Sequence, residues 1–172
     1  WTSAAFSQDG SNLRLNTTAA ISNSTAHEVS LDASVITFVD SGHPNGSGDD
    51  RIAYCFHSSD VCKVGSYTGN GSTDGPFVYT GFRPAWVMVK NASLAATSWL
   101  IWDDERSTYN IANDILKAQS ANAEVGNNNS FGIDILSNGF KVRSSYGDLN
   151  QNGNTIIYLV FAETPFKYAN AR

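Results

Sequence analysis

A chain of 172 residues is long enough to bury one good core and short for two, so a single domain is expected. With 41% hydrophobic and only 16% charged residues it is too apolar for disorder, and 21 Ser, 17 Asn and 14 Gly favour turns and strand edges over helix interiors. The net charge is -5 and the Lys and Arg residues are scattered singly, which excludes a basic face for nucleic acid; no run approaches the roughly 20 apolar residues of a spanning helix, so no membrane is expected either.

The opening WTSAAFSQDG lacks the basic-then-apolar order of a signal peptide, and Trp1 in place of Met leads us to expect that chain precedes it. From there, short strand-like runs follow one another: Leu13–Asn16, Ser34–Val39, Arg51–His57, Cys62–Tyr67, Phe77–Thr80, Ala85–Lys90, Ser98–Trp102, Gly132–Leu136, Phe140–Arg143 and Thr155–Ala162. Between them stand residues that tolerate positive φ: Gln8-Asp9-Gly10, Asn45-Gly46, Asn70-Gly71, Ser137-Asn138-Gly139 and Asn152-Gly153. Ala85–Val89 and Ile156–Phe161 are almost continuously apolar, which predicts central strands covered on both faces. Only Tyr109–Ser120 suggests a helix, with Ile111, Ile115 and Leu116 at helical spacing.

A faint internal repeat sets RIAYCF (Arg51–Phe56) against IIYLVF (Ile156–Phe161), each after an Asn-Gly turn. It divides the single domain into a partial first half, residues 1–58, and a second half, 59–172. On this reading the chain starts inside the first repeat.

The block Lys63–Lys90 (KVGSYTGNGSTDGPFVYTGFRPAWVMVK), with IAYCFHS before it and YLVFAETPFKYANAR at the end, resembles a recurrent C-terminal domain of bacteriophage virion proteins, especially tail-fibre-like ones. The resemblance covers about Ile52–Arg172. It implies an appendage built from β-modules, no assigned catalytic residues, and a natural C-terminus at Arg172. The same block has its own physical logic: the Asn-Gly pair and glycines force tight turns, Pro76 fixes φ ahead of a strand, and Pro84 marks the start of the next. Strands on both sides of the glycines exclude a phosphate-binding loop.

Candidate chemistry is sparse. Cys55 and Cys62 match no zinc signature; a disulfide across a turn and free thiols both fit, with Cys55 expected to be buried in its strand. Asp103 and Asp104, beside Glu105 and Arg106, form the densest acidic cluster, but adjacent side chains diverge and the order is not that of an EF-hand, so a solvated loop start paired to Arg106 is favoured. His27, His43 and His57 sit beside no nucleophile motif, and His57 reads as the polar end of a core strand. Six N-x-[ST] sequons, at Asn16, Asn23, Asn45, Asn70, Asn91 and Asn128, mark loops. Trp99, Trp102 and Tyr109 are candidates for a sugar-stacking patch: Trp99 and Trp102 stand an odd distance apart on one strand and face opposite sides, which would leave one of them free.

These readings converge on an all-β fold, an antiparallel β-sandwich of jelly-roll type with one short helix. The expected role is a non-enzymatic structural and binding module of a phage appendage on the virion surface, needing no cofactor or metal. Its partners would be further copies of itself or other virion proteins, and host-surface glycan. The alternative is a carbohydrate-binding adhesin reading host glycans through Trp99, Trp102, Tyr109, Asp103 and Asp104.

Overall fold

A computed structural model of the protein describes residues 11–23, 29–31, 36–38, 50 and 52–163. Its strands are β1 (Ser11–Asn12), β2 (Ser22–Asn23), β3 (Val29–Leu31), β4 (Ile36–Phe38), β5 (Cys62–Thr68), β6 (Phe77–Tyr79), β7 (Pro84–Asn91), β8 (Trp99–Asp103), β9 (Leu116–Lys117), β10 (Ile133–Leu136), β11 (Gly139–Val142) and β12 (Thr155–Ala162). One four-residue helix, α1 (Gly147–Asn150), precedes β12. A five-stranded sheet has the order β5-β12-β7-β8-β9 and a three-stranded sheet the order β10-β11-β6, while β1-β2 and β3-β4 form small hairpins. Every pairing is antiparallel. The protein is an all-β sandwich.

The apolar runs explain which strands are central. β12 has both edges occupied, by β5 and β7, and its alternate side chains enter two cores. Ile156, Tyr158 and Val160 join Val87, Val89, Leu100 and Trp102 against Val78, Ile133, Ile135, Phe140 and Val142 of the smaller sheet. Ile157 and Leu159 lie on the other face with Met88 and Trp99, covered in part by Leu13 and Ile21. Each fully buried aliphatic side chain contributes about 1.5–3 kcal/mol, so a strand apolar on both faces is held from both sides.

Lys90 is the polar exception in this second layer. It is fully buried, and its ammonium donates to Thr97 Oγ1 (2.5 Å), the Asn91 carbonyl (3.0 Å) and the Thr18 carbonyl (3.5 Å). Burial pulls its pKa down to about 8, against the attraction of Asp148.

Two sheet edges are closed by single side chains that imitate a strand. The Ser58 hydroxyl donates to the Val64 carbonyl and accepts from the Val64 amide on β5. Asn110 does the same at β10, its Nδ2 donating to the Ile135 carbonyl (2.9 Å) while its Oδ1 accepts from the Ile135 amide (2.8 Å).

Several expectations are corrected. No helix forms over Tyr109–Ser120: Ala112 bridges to Ile133, Ile115 to Val125, and Leu116–Lys117 pairs with β8 as β9. The reason is competition from other partners: the Asn110 side chain bonds the backbone of Ile135 and that of Asp114 accepts from the Asn127 amide and Ser107. The one α-helix among the described residues lies instead at Gly147–Asn150. Leu13–Asn16 turns away after β1 and is not a strand. Residues 52–57 are not a strand either, and Cys55 and His57 are exposed; both edges of the matching strand β12 are already taken, so the repeat's first copy has no equivalent place. Cys62, not Cys55, is the buried thiol, and both are free. Asn91 is buried at the end of β7, its Oδ1 accepting from the Ser93 and Leu94 amides, rather than sitting in an open loop. The Gln8-Asp9-Gly10 and Asn45-Gly46 turns, His27, His43 and both chain ends lie outside the described residues.

Candidate functional site

The aromatic patch expected from Trp99, Trp102 and Tyr109 does not assemble. The two tryptophans do face opposite sides of β8, but both sides are covered: Trp99 is 1% exposed and Trp102 is 0% exposed. Trp99 Nε1 donates to the Arg14 carbonyl (3.0 Å) and Trp102 Nε1 to the Phe131 carbonyl (2.9 Å), so each indole is spent on holding a loop to the sheet. Tyr109 is exposed, without either tryptophan to act beside.

The acidic pair is divided between two arginines. Arg106 grips Asp103 through its Nε, its Nη2 and its backbone amide, and reaches Glu124 at 3.4 Å. Desolvation pushes the Asp103 carboxyl up, but the Arg106 hydrogen bonds and charge outweigh it and leave the group below its ordinary value. Asp104 lies 3.6 Å from Arg83, which also meets Glu163 at 3.0 Å; there desolvation prevails and the carboxyl is raised. Among the described residues no group of three or more His, Cys, Asp or Glu is placed to hold a metal.

A different surface is open. In β6 the sequence Phe-Val-Tyr alternates, so Val78 enters the core while Phe77 and Tyr79 point outward at 45% and 62% exposure. The sheet register sets two rows on this outer face: Phe77 beside Lys141 beside Asp134, and Tyr79 beside Gly139 beside Leu136. Gly139 has no side chain to raise the floor. A Cβ there would run into the Val78 carbonyl oxygen and come within 3.1 Å of Cε2 and Cζ of Phe77, so the far edge of that ring reaches over the glycine.

The backbone of β6 is half used. Val142 donates to the Pro76 carbonyl (3.0 Å) and Thr80 to the Asn138 carbonyl (3.0 Å), so the even-numbered residues face β11. The N–H and C=O groups of Phe77 and Tyr79 therefore point to the outer edge, where β6 has no strand neighbour among the described residues. The charges at the rim are closed into pairs: Lys141 meets Asp74 at 2.7 Å and Arg143 meets Asp134 at 3.4 Å. The Lys141 hydrogen bond, helped by its charge, holds the Asp74 carboxyl below its ordinary value.

The loop carrying Asp74 is built from α1. Asn150 is fully buried; its Oδ1 accepts from the Asn70 amide (2.8 Å) and its Nδ2 faces Asn70 Oδ1, the Ser72 carbonyl (2.7 Å) and the Ser144 carbonyl (2.8 Å). Asn70 in turn donates to the Asp74 carbonyl (3.0 Å). The signal for this face was present in the sequence as two aromatics flanking one valine, since only one side of a strand can enter the core.

The molecule is thus an antiparallel β-sandwich whose smaller sheet turns an aromatic face to solvent. By a match to residues 1–165 the chain belongs to the family described as Domain of unknown function (DUF7483). No curated protein and no solved structure matches it.

Proposed function

We propose that this chain is a structural and binding module of a bacteriophage virion appendage, a tail fibre or surface decoration, whose work is assembly and attachment to the host surface rather than turnover of a substrate. The sequence support is the resemblance of Lys63–Lys90 and of the C-terminal YLVFAETPFKYANAR to tail-fibre-like virion proteins. One structural observation carries the assembly part. Ile52 and Tyr54 are each 81% exposed within an apolar run, Ile52–Phe56, that forms no strand and touches the fold where Phe56 meets the Phe161 ring edge-on at 5.6 Å.

A continuous apolar run of this kind is costly to leave in water, and such exposed patches mark contact surfaces. The segment has the composition of a strand and, among the described residues, no strand to pair with, so a second copy of the chain, or a neighbouring virion protein, is the cover that suits it. Light scattering over a range of concentrations is the direct test. The expected result is an oligomer that Ile52→Asp combined with Tyr54→Asp converts to a folded monomer, and antibodies to the domain should label intact particles. A wild-type chain that stays monomeric at every concentration and is missing from purified particles would sink the proposal.

A further inference from the structure

We infer that the outer face of the smaller sheet, centred on Phe77 and Tyr79, is a binding site for a neutral pyranose sugar chain. The inference rests on this face alone and does not depend on where the protein is housed. A pyranose presents an apolar C–H face and an equatorial ring of hydroxyls. An exposed aromatic ring on a sheet face meets the first, and fixed polar groups around it meet the second.

Both requirements are built here. Gly139 lets the far edge of the Phe77 ring reach across to β11, and the ring is partly open to solvent. Tyr79, two residues on along the same face, stands about 6–7 Å further along the strand, so the two rings address successive positions of a chain laid along β6. The outward N–H and C=O groups of both residues line the edge of that track, and the Asp74–Lys141 and Asp134–Arg143 pairs flank it.

Charge decides the class of sugar. The two cations beside the rings are each held by a carboxylate, so among the described residues no unpaired positive group beside them awaits a phosphate, sulfate or uronate, and no unpaired carboxylate awaits an amine. Rim ion pairs of this kind still accept and donate to hydroxyls at their free edges. An extended peptide adding to the β6 edge is the rival occupant, but β6 offers only three residues for pairing and a peptide would make no demand on two exposed rings.

The test is saturation-transfer NMR and calorimetry on the full chain with neutral oligosaccharides of glucose, galactose, mannose and N-acetylglucosamine, and with a sulfated oligosaccharide as the charged probe. At least one neutral probe should bind, with transfer strongest to its ring C–H protons. Tyr79→Ala and Phe77→Ala should each weaken it about tenfold, the effect of losing one stacked ring. Tyr79→Phe keeps the ring and should bind within about twofold of wild type. Thermal unfolding of each variant, with Tyr79 and Phe77 on the surface, should stay close to wild type. Binding that survives both alanine variants overturns the assignment. So does preference for the sulfated probe with a strong salt dependence, failure of every neutral probe, or protection of the Phe77 and Tyr79 amides by an added strand peptide in place of sugar.

Discussion

Replacing Asn150 by alanine should destabilise the protein more than any other single polar truncation near the aromatic face. The side chain joins three stretches of chain: it accepts from the Asn70 amide and faces the Ser72 and Ser144 carbonyls, all within 2.8 Å. Ser144 is buried, so its carbonyl loses its partner with no water to replace it, a loss of about 1–3 kcal/mol. Asn70 and Ser72 are exposed and regain water, so their lost bonds count for about 0.5–1 kcal/mol each. The total is about 2–5 kcal/mol, or roughly 4–20 °C in Tm for a chain of this size. Asn150→Asp should be at least as damaging as Asn150→Ala, because a carboxylate has no proton for the two carbonyls it would face. Urea unfolding followed by circular dichroism reads both, with the slope m unchanged. An aspartate variant as stable as wild type, or an alanine variant within about 0.5 kcal/mol of it, would refute the reasoning.

Three further outcomes follow from the same structure. Lys90 has a folded pKa of about 8 against an ordinary 10.5, so between those values the unfolded chain holds the proton that the native chain has lost. Stability should therefore rise with pH from 8 towards 10, where Tyr67 and Tyr158, whose phenols are pushed up by burial, begin to act in the opposite sense; urea midpoints across that range should show the rise in wild type and lose it in Lys90→Met. Gly139→Ala should cost about 1–3 kcal/mol, since the obstacle is the Val78 carbonyl of the backbone and not a side chain that can swing aside; equal stability of the two proteins would show that the strands separate freely there. In the Ile52→Asp, Tyr54→Asp chain, where no second copy covers the run, a thiol reagent should label exposed Cys55 quickly under native conditions and buried Cys62 only on unfolding, as peptide mass analysis would report; equal labelling rates would contradict the burial of Cys62.

Most of the sandwich was legible because its signals are local. Ile156–Phe161 and Ala85–Val89 read as central strands since both of their faces are apolar, and they form β12 and β7, two of the three inner strands of the larger sheet. Ser137-Asn138 makes the two-residue turn from β10 to β11, and Gly153 takes the positive φ that its Asn-Gly pair suggested. What failed was decided by partners distant in sequence. Residues 52–57 resemble β12 in composition, but composition does not say whether an edge is free to pair. Ile111, Ile115 and Leu116 have helical spacing, yet Asn110 and Asp114 find backbone partners elsewhere first. Alternation placed Trp99 and Trp102 on opposite faces correctly, and only the packing of Leu13 and Ile21 on the outer side closed the face that would have left one of them free. The same alternation, applied to Phe77-Val78-Tyr79, points to the open surface.

The strand-mimicking Ser58 and Asn110 have a meaning for how many copies can be crowded together. An uncovered sheet border invites fusion with any other uncovered border, and in a dense array that leads to random clumping. A serine on β5 and an asparagine on β10 block one stretch of border on each sheet with a group too short to recruit anything itself. Among the described residues Ser66–Thr68 at the far end of β5 and the three-residue rim of β6 keep open borders, lengths too short to offer a stray strand more than a few bonds.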